Sequence, residues 1–94
     1  MCFTVLQPED NNYILNKIRM EETLEKLDLA NKIGDNIKVI RKAKGLNQAQ
    51  LARNCGMDRQ HMEKIENAKV CPNIYTLYII SKALNISVSE LVNV

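Results

Sequence analysis

The chain has 94 residues, of which 46% are hydrophobic, so it is long enough to form one domain with a modest core. It has no Trp and one Phe, so that core must be largely aliphatic. No apolar run approaches the ~20 residues that cross a bilayer, and the N-terminus lacks a basic leader. These features predict a cytoplasmic protein without a membrane segment.

Cysteine and histidine usage argues against metal and catalytic sites. The three cysteines, Cys2, Cys55 and Cys71, lack the spacing of zinc ligands, and their odd number does not suit a disulfide framework. His61 has no second imidazole or acidic partner at a recognisable spacing. We therefore expect no enzyme activity, no cofactor and no metal. Cys55 is predicted to face inward, and Cys71 to be exposed.

The net charge of +2 is unevenly distributed along the chain. Residues 1–31 carry three basic and six acidic side chains, a net charge of −3, whereas residues 32–72 carry nine basic and four acidic, a net +5. Residues 73–94 are neutral, because Lys82 balances Glu90. A solvated basic face explains such a bias about as often as a polyanionic partner does. The uneven charge distribution therefore supports a DNA partner only in combination with a DNA-binding motif.

Residues 47–67 predict two short helices joined by a glycine turn. Asn47 and Gln50 have the spacing of a capping box, which starts the first helix near residue 48. Gly56 offers the positive φ of a tight helix exit, and Asp58 caps the second helix. The inward positions of the second helix are Met62 and Ile65. Its outer positions carry side chains suited to base edges: Arg59, Gln60, Glu63 and Lys64.

The flanking segments predict three more helices with apolar stripes. Before the motif, the buried stripe is Ile33, Ile37 and Ile40, and Gly45 ends the helix. After it, Asn73 caps a helix whose inward residues are Leu77, Ile80, Ala83 and Leu84. Ser87 and Glu90 form a capping box for a short last helix with Leu91 and Val92 facing in.

The N-terminal extension, residues 1–31, predicts a helix from about residue 12 to about residue 31, capped by Asp10 or Asn11. At about 100° per residue its apolar residues fall on opposite sides: Tyr13, Met20, Leu24 and Leu27 on one, and Ile14, Ile18 and Leu29 on the other. A helix that is apolar on two sides requires two partners, so we hypothesise that the extension makes or reinforces a dimer. Packing against its own domain alone is the equally open alternative.

Separated landmarks in residues 45–86 resemble the Cro and phage-repressor (xenobiotic-response-element) helix-turn-helix family. They are, in order, GLNQAQLA at residues 45–52, Gly56, Ile65-Glu66-Asn67, Pro72 and KALNI at residues 82–86. The resemblance covers roughly residues 33–94. It implies an all-α fold with a compact five-helix DNA-binding bundle at residues 32–94. Residues 1–31 lie outside the resemblance, and their predicted helix is an addition to that bundle. The resemblance further implies operator binding, commonly as a homodimer.

The resemblance also implies roles for single residues. It pairs Arg41 with Glu66 as an architectural link, and it assigns phosphate contacts to Gln48, Asn67 and Lys69. His61 is a helix-surface residue placed to touch phosphate as well. The family commonly has Gly where Ala68 stands. If that position needs positive φ, alanine costs on the order of 1 kcal/mol there.

Base reading is assigned from side-chain chemistry in the helix at about residues 58–67. Arg59 can bind guanine O6 and N7, and Gln60 can bind adenine N6 and N7, so these two are the main candidates. Lys64 reaches either a base or a phosphate. Glu63 either accepts from cytosine N4 or repels misaligned phosphates.

Two functional classes remain open. The first, which we favour, is a sequence-specific transcriptional regulator, most simply a repressor, whose homodimer binds half-sites ~34 Å apart. The second is an antitoxin-like interaction protein. In that case residues 1–31 bind a partner protein, and the helix-turn-helix autoregulates the operon.

Overall fold

The computed structural model describes the backbone of residues 8–93 and the side chains of residues 20–93. This part of the chain contains five helices and no strand: α1 Pro8–Ala43, α2 Gln48–Cys55, α3 Arg59–Glu66, α4 Ile74–Leu84 and α5 Val88–Leu91. The predicted all-α bundle is confirmed. Within residues 8–93, no helix combines the length and apolar character needed to cross a membrane.

The four short helices start where the sequence predicts, because a polar side chain caps each of them. Asn47 Oδ1 accepts the Gln50 backbone N–H at 2.7 Å, and Gln50 Oε1 accepts the Asn47 backbone N–H at 2.8 Å, so the capping box is complete. The side chains of Asp58, Asn73 and Ser87 each accept a backbone N–H from the first turn of α3, α4 and α5, and Ser87 forms a second capping box with Glu90. Each cap satisfies a backbone donor that the first helical turn leaves without an intrahelical partner.

Left-handed backbone conformations mark the helix exits. Gly45 (φ 73°) and Gly56 (φ 71°) end α1 and α2, and both tolerate this conformation because they lack a Cβ. Ala68, two residues after α3, has φ 60°. The positive φ considered for Ala68 is therefore present, at a cost of about 1 kcal/mol relative to a relaxed alanine.

α1 is one continuous helix of 36 residues, whereas the sequence predicts two consecutive helices with a boundary near residue 31. The predicted boundary and the predicted start near residue 12 are both wrong. Asp28 and Lys32 form an i,i+4 ion pair of 2.9 Å across the expected break, and no proline interrupts the helix there. The additional N-terminal helix is therefore present as an extension of the first bundle helix.

The sequence predicts two opposite apolar faces on the extension, and the structure describes the side chains of these faces only from residue 20 onward. Met20, Leu24 and Leu27 are exposed, and so is Leu29 on the other side of the helix. The side chains of Tyr13, Ile14 and Ile18, and all of residues 1–7 including Cys2, lie outside the described residues.

The core lies between the C-terminal half of α1 and the four short helices. Its fully buried apolar side chains come from every helix: Ile37, Leu51, Met62, Ile65, Ile80, Leu84 and Leu91. These are inward positions of the predicted periodic stripes. Cys55 packs against the same core, and burial raises the pKa of its thiol to about 11, so the thiol is neutral at physiological pH. Cys71 is exposed, as predicted.

Gly34 sets the distance between α1 and α3. A Cβ at this position would lie 2.5 Å from the backbone oxygen of Glu66 and 2.9 Å from that of Ile65. The missing side chain therefore lets the C-terminal end of α3 contact the backbone of α1 directly.

Replacing Gly34 by alanine is expected to lower the free energy of unfolding by about 1–3 kcal/mol, because the added methyl group overlaps with backbone atoms. In an ordinary helix interior the same change stabilises by roughly 0.5–1 kcal/mol, so the sign of the effect is informative. Urea denaturation measures it, with Asn31→Ala at an exposed position of the same helix as the control. A Gly34→Ala protein as stable as the parent would contradict the close approach of α3.

Candidate nucleic-acid interface

α3 has one face fixed in the core and the other open to solvent. Met62 and Ile65 are buried, while the side chains on the other face project outward. Four residues predicted to read bases line an open groove of about 340 Å³ together with Lys69. The four are Arg59, Gln60, Glu63 and Lys64. The sequence placed these four residues on one outer face, and the structure adds Lys69 from the following turn.

The first turn of α3 carries exposed polar side chains. Asp58 Oδ1 accepts the backbone N–H of His61 at 2.7 Å, which fixes the start of the helix. Arg59 and Gln60 follow Asp58 directly, and both are exposed. The imidazole of His61 is exposed as well. These long polar side chains are accessible from solvent without any rearrangement of the core.

Glu63 and Lys69 form an ion pair at the edge of the groove. Lys69 Nζ donates to Glu63 Oε1 at 2.7 Å. This hydrogen bond is the main cause of a lowered pKa at Glu63, so its carboxylate is charged at neutral pH. One predicted base reader is thus bound to one predicted phosphate contact. Sequence reasoning missed this pair, because the two residues are six apart and do not share a helix.

Arg41 and Glu66 form a buried bidentate pair, the two residues that the resemblance links. Arg41 Nε donates to Glu66 Oε2 at 2.7 Å, and Arg41 Nη2 donates to Glu66 Oε1 at 3.1 Å. Arg41 is only 8% exposed and Glu66 only 2%. The remaining Nη1 group of Arg41 donates to the Leu46 backbone oxygen at 2.9 Å. Two planar groups that meet in this way fix both distance and orientation.

Gln48 joins this network from the N-terminus of α2. Its Nε2 donates to Glu66 Oε1 at 3.1 Å, a contact that the sequence did not predict. The contact uses one of the two N–H donors of the amide and leaves the second for an external acceptor. Among the described residues, every buried side-chain polar atom has a hydrogen-bond partner. The network therefore connects α1, α2 and α3 without an unsatisfied group.

Replacing Arg41 by alanine is expected to lower the free energy of unfolding by about 3 kcal/mol, because Glu66 would remain buried without its cation. Chemical denaturation measures this loss. Arg53→Ala, at an exposed position of α2, is the matched control and is expected to change stability by less than about 0.5 kcal/mol. An Arg41→Ala protein of full stability would show that the pair is not architectural.

Comparison with known proteins identifies the family of this chain. The helix-turn-helix family HTH_3 matches residues 37–91. The chain is 32% identical over 66 residues to an uncharacterized HTH-type transcriptional regulator of Sinorhizobium fredii, and the match covers 70% of this chain and 86% of that protein. It is also 38% identical over 60 residues to the immunity repressor protein of Bacillus phage phi105, covering 64% of this chain and 42% of that protein.

A solved structure shows the same fold. The restriction-modification controller protein C.AhdI from Aeromonas hydrophila superimposes with a TM-score of 0.65 at 31% sequence identity, covering 66% of this chain and 94% of that one. The resemblance to Cro-type and phage-repressor regulators is therefore confirmed, and the relatives belong to a family of regulators rather than enzymes. The chain belongs to the helix-turn-helix family of DNA-binding transcriptional regulators.

Proposed function

We propose that this protein is a sequence-specific repressor that reads operator half-sites with α3. The observation that carries the proposal is the groove on α3, where four predicted base readers are accessible while the opposite face is buried in the core. Its similarity to a phage immunity repressor supports repression as the direction of control.

Arg59 and Gln60 are the proposed specificity residues. They lie in the first turn of α3, the part of a recognition helix that contacts base edges in the major groove. Arginine suits guanine, and glutamine suits adenine, through paired hydrogen bonds. Lys64 lies about one turn further along and is exposed, so it reaches a base or the adjoining phosphate.

Gln48, His61, Asn67 and Lys69 are the proposed phosphate contacts. Gln48 is the best placed of these, because its bond to Glu66 couples the amide directly to the end of α3. A phosphate bound by Gln48 would then set the register of α3 along the groove. Such contacts position the protein without reading sequence.

Glu63 is proposed to limit non-specific binding, and to reach a base only after its bond to Lys69 is released. Its carboxylate neutralises Lys69 at 2.7 Å and lies in the same groove as the base-reading side chains. A duplex in the wrong register would bring a phosphate close to this negative charge. In the correct register, Lys69 can turn to a phosphate and Glu63 to a cytosine N4 group.

Substitution of the two specificity residues should relax sequence preference at discrete positions. In a selection from random oligonucleotides, Arg59→Ala and Gln60→Ala are each expected to lose about 1–3 kcal/mol of discrimination at one base pair per half-site. Gln48→Ala is the control. Loss of a phosphate contact should lower the affinity for all DNA sequences alike and leave the base preference unchanged. Unchanged base preference in both α3 variants would refute the assignment.

Removal of the Glu63 charge should strengthen non-specific binding. Glu63→Gln frees Lys69 for phosphate, so the slope of log K against log salt is expected to steepen by about 1 on random DNA. Glu22→Gln makes the same charge change at an exposed position of α1, away from the groove, and should leave the slope unchanged. Equal slopes for Glu63→Gln and the parent protein would exclude this role.

A further inference from the structure

An exposed apolar stripe runs along the extension of α1. Met20, Leu24 and Leu27 are spaced four and three residues apart, so they share one side of the helix. Their side chains are 65%, 60% and 48% exposed. Burial of large apolar side chains is favourable, and contiguous exposed ones mark interaction surfaces.

A cleft adjoins the stripe on the side of the domain. It has a volume of about 310 Å³ and lies between α1 and the connector that follows α3. Thr23, Lys26, Leu27 and Ala30 form one wall. Residues 68–71 form the other, including Lys69, which also lines the α3 groove. The cleft is large enough to receive an apolar side chain from a molecule that packs against the stripe.

We propose that a second copy of this chain covers the stripe, with the two α1 helices antiparallel and crossing at Leu24. In this arrangement Leu24 meets its counterpart, and Met20 of each copy packs against Leu27 of the other, beside the cleft. The inference rests on the proposed function, because it identifies the surface that joins two operator-reading domains.

The position of the stripe along α1 fits the spacing of DNA half-sites. Gly34, where α1 contacts α3, lies ten residues beyond Leu24, or ~15 Å along the helix. Antiparallel pairing at Leu24 therefore separates the two Gly34 positions by ~30 Å along the helix axes, close to the ~34 Å of one DNA turn. Parallel pairing would bring them within ~10 Å of each other, too close for successive major grooves.

The charges beside the stripe permit this pairing. Glu21 and Asp28 flank the stripe on one side, and antiparallel pairing brings these flanks together. Asp28 is already bound to Lys32 at 2.9 Å within its own helix, which offsets its charge. The remaining repulsion, from Glu21, is screened by salt, so association should tighten as ionic strength rises.

Sedimentation equilibrium of the full chain without DNA tests the inference. The parent protein is expected to dimerise, and Leu24→Asp to raise the dimer dissociation constant roughly tenfold or more, because two carboxylates would meet at the crossing point. Leu29→Asp, an exposed leucine on the opposite side of α1, is the matched control and should dimerise normally. A monomeric parent protein at ~100 µM, or equal dimerisation of Leu24→Asp and the parent, would overturn the inference.

The orientation is tested by a distance between spin labels. In a protein carrying Asp35→Cys, Cys2→Ser and Cys71→Ser, a label at position 35 should give a distance near 33 Å along an antiparallel pair. A distance near 10 Å would instead show parallel pairing and overturn the arrangement. Labelling of Cys55 is disfavoured at pH 7, because its thiol packs against the core and burial raises its pKa to about 11.

DNA binding separates this inference from the proposed function. Leu24→Asp should bind a single half-site as the parent does but lose affinity for the full operator. If Leu24→Asp binds the full operator as tightly as the parent, the dimer surface lies elsewhere and the inference fails, although operator reading stands. If the parent dimer shows no sequence preference, the proposed function fails, and the sedimentation result still decides whether the stripe pairs.

Discussion

The buried pair between Arg41 and Glu66 is the interaction on which the arrangement of this protein depends. Glu66 is only 2% exposed, so its carboxylate has to be matched by an opposite charge at close range. The observed placement of α3 against α1 provides this match through two hydrogen bonds from Arg41. Gly34 permits the same contact, because any side chain there would push the end of α3 away. The last turn of α3 is thereby fixed, and its first turn points outward.

This division within α3 explains how a helix of eight residues can be both structural and functional. The C-terminal end contributes Ile65 and Glu66 to the interior. The N-terminal end is capped by Asp58 and anchored by the buried Met62, and it carries exposed polar side chains. Gln48 bonds to the same carboxylate that orients α3. Its proposed phosphate contact and the proposed base contacts therefore belong to one rigid unit.

α1 links this unit to a surface that lies outside the bundle. The helix that supplies Arg41 and Gly34 continues without a break to Pro8, so the exposed stripe at Met20, Leu24 and Leu27 has a defined distance from α3. A flexible linker near residue 31 would have left that distance undefined. Continuity of the helix is thus what gives the proposed antiparallel pairing a definite half-site spacing.

The sequence by itself determined the local features of the fold. Capping boxes, glycine exits and apolar stripes depend on residues within a few positions of one another, and the four short helices start and end accordingly. It also placed Arg59, Gln60, Glu63 and Lys64 on one outer face. Only the tertiary structure decided that α1 is continuous, that Lys69 bonds to Glu63, and that Gln48 bonds to Glu66. These features join residues whose proximity arises from packing, which periodicity within one helix does not encode.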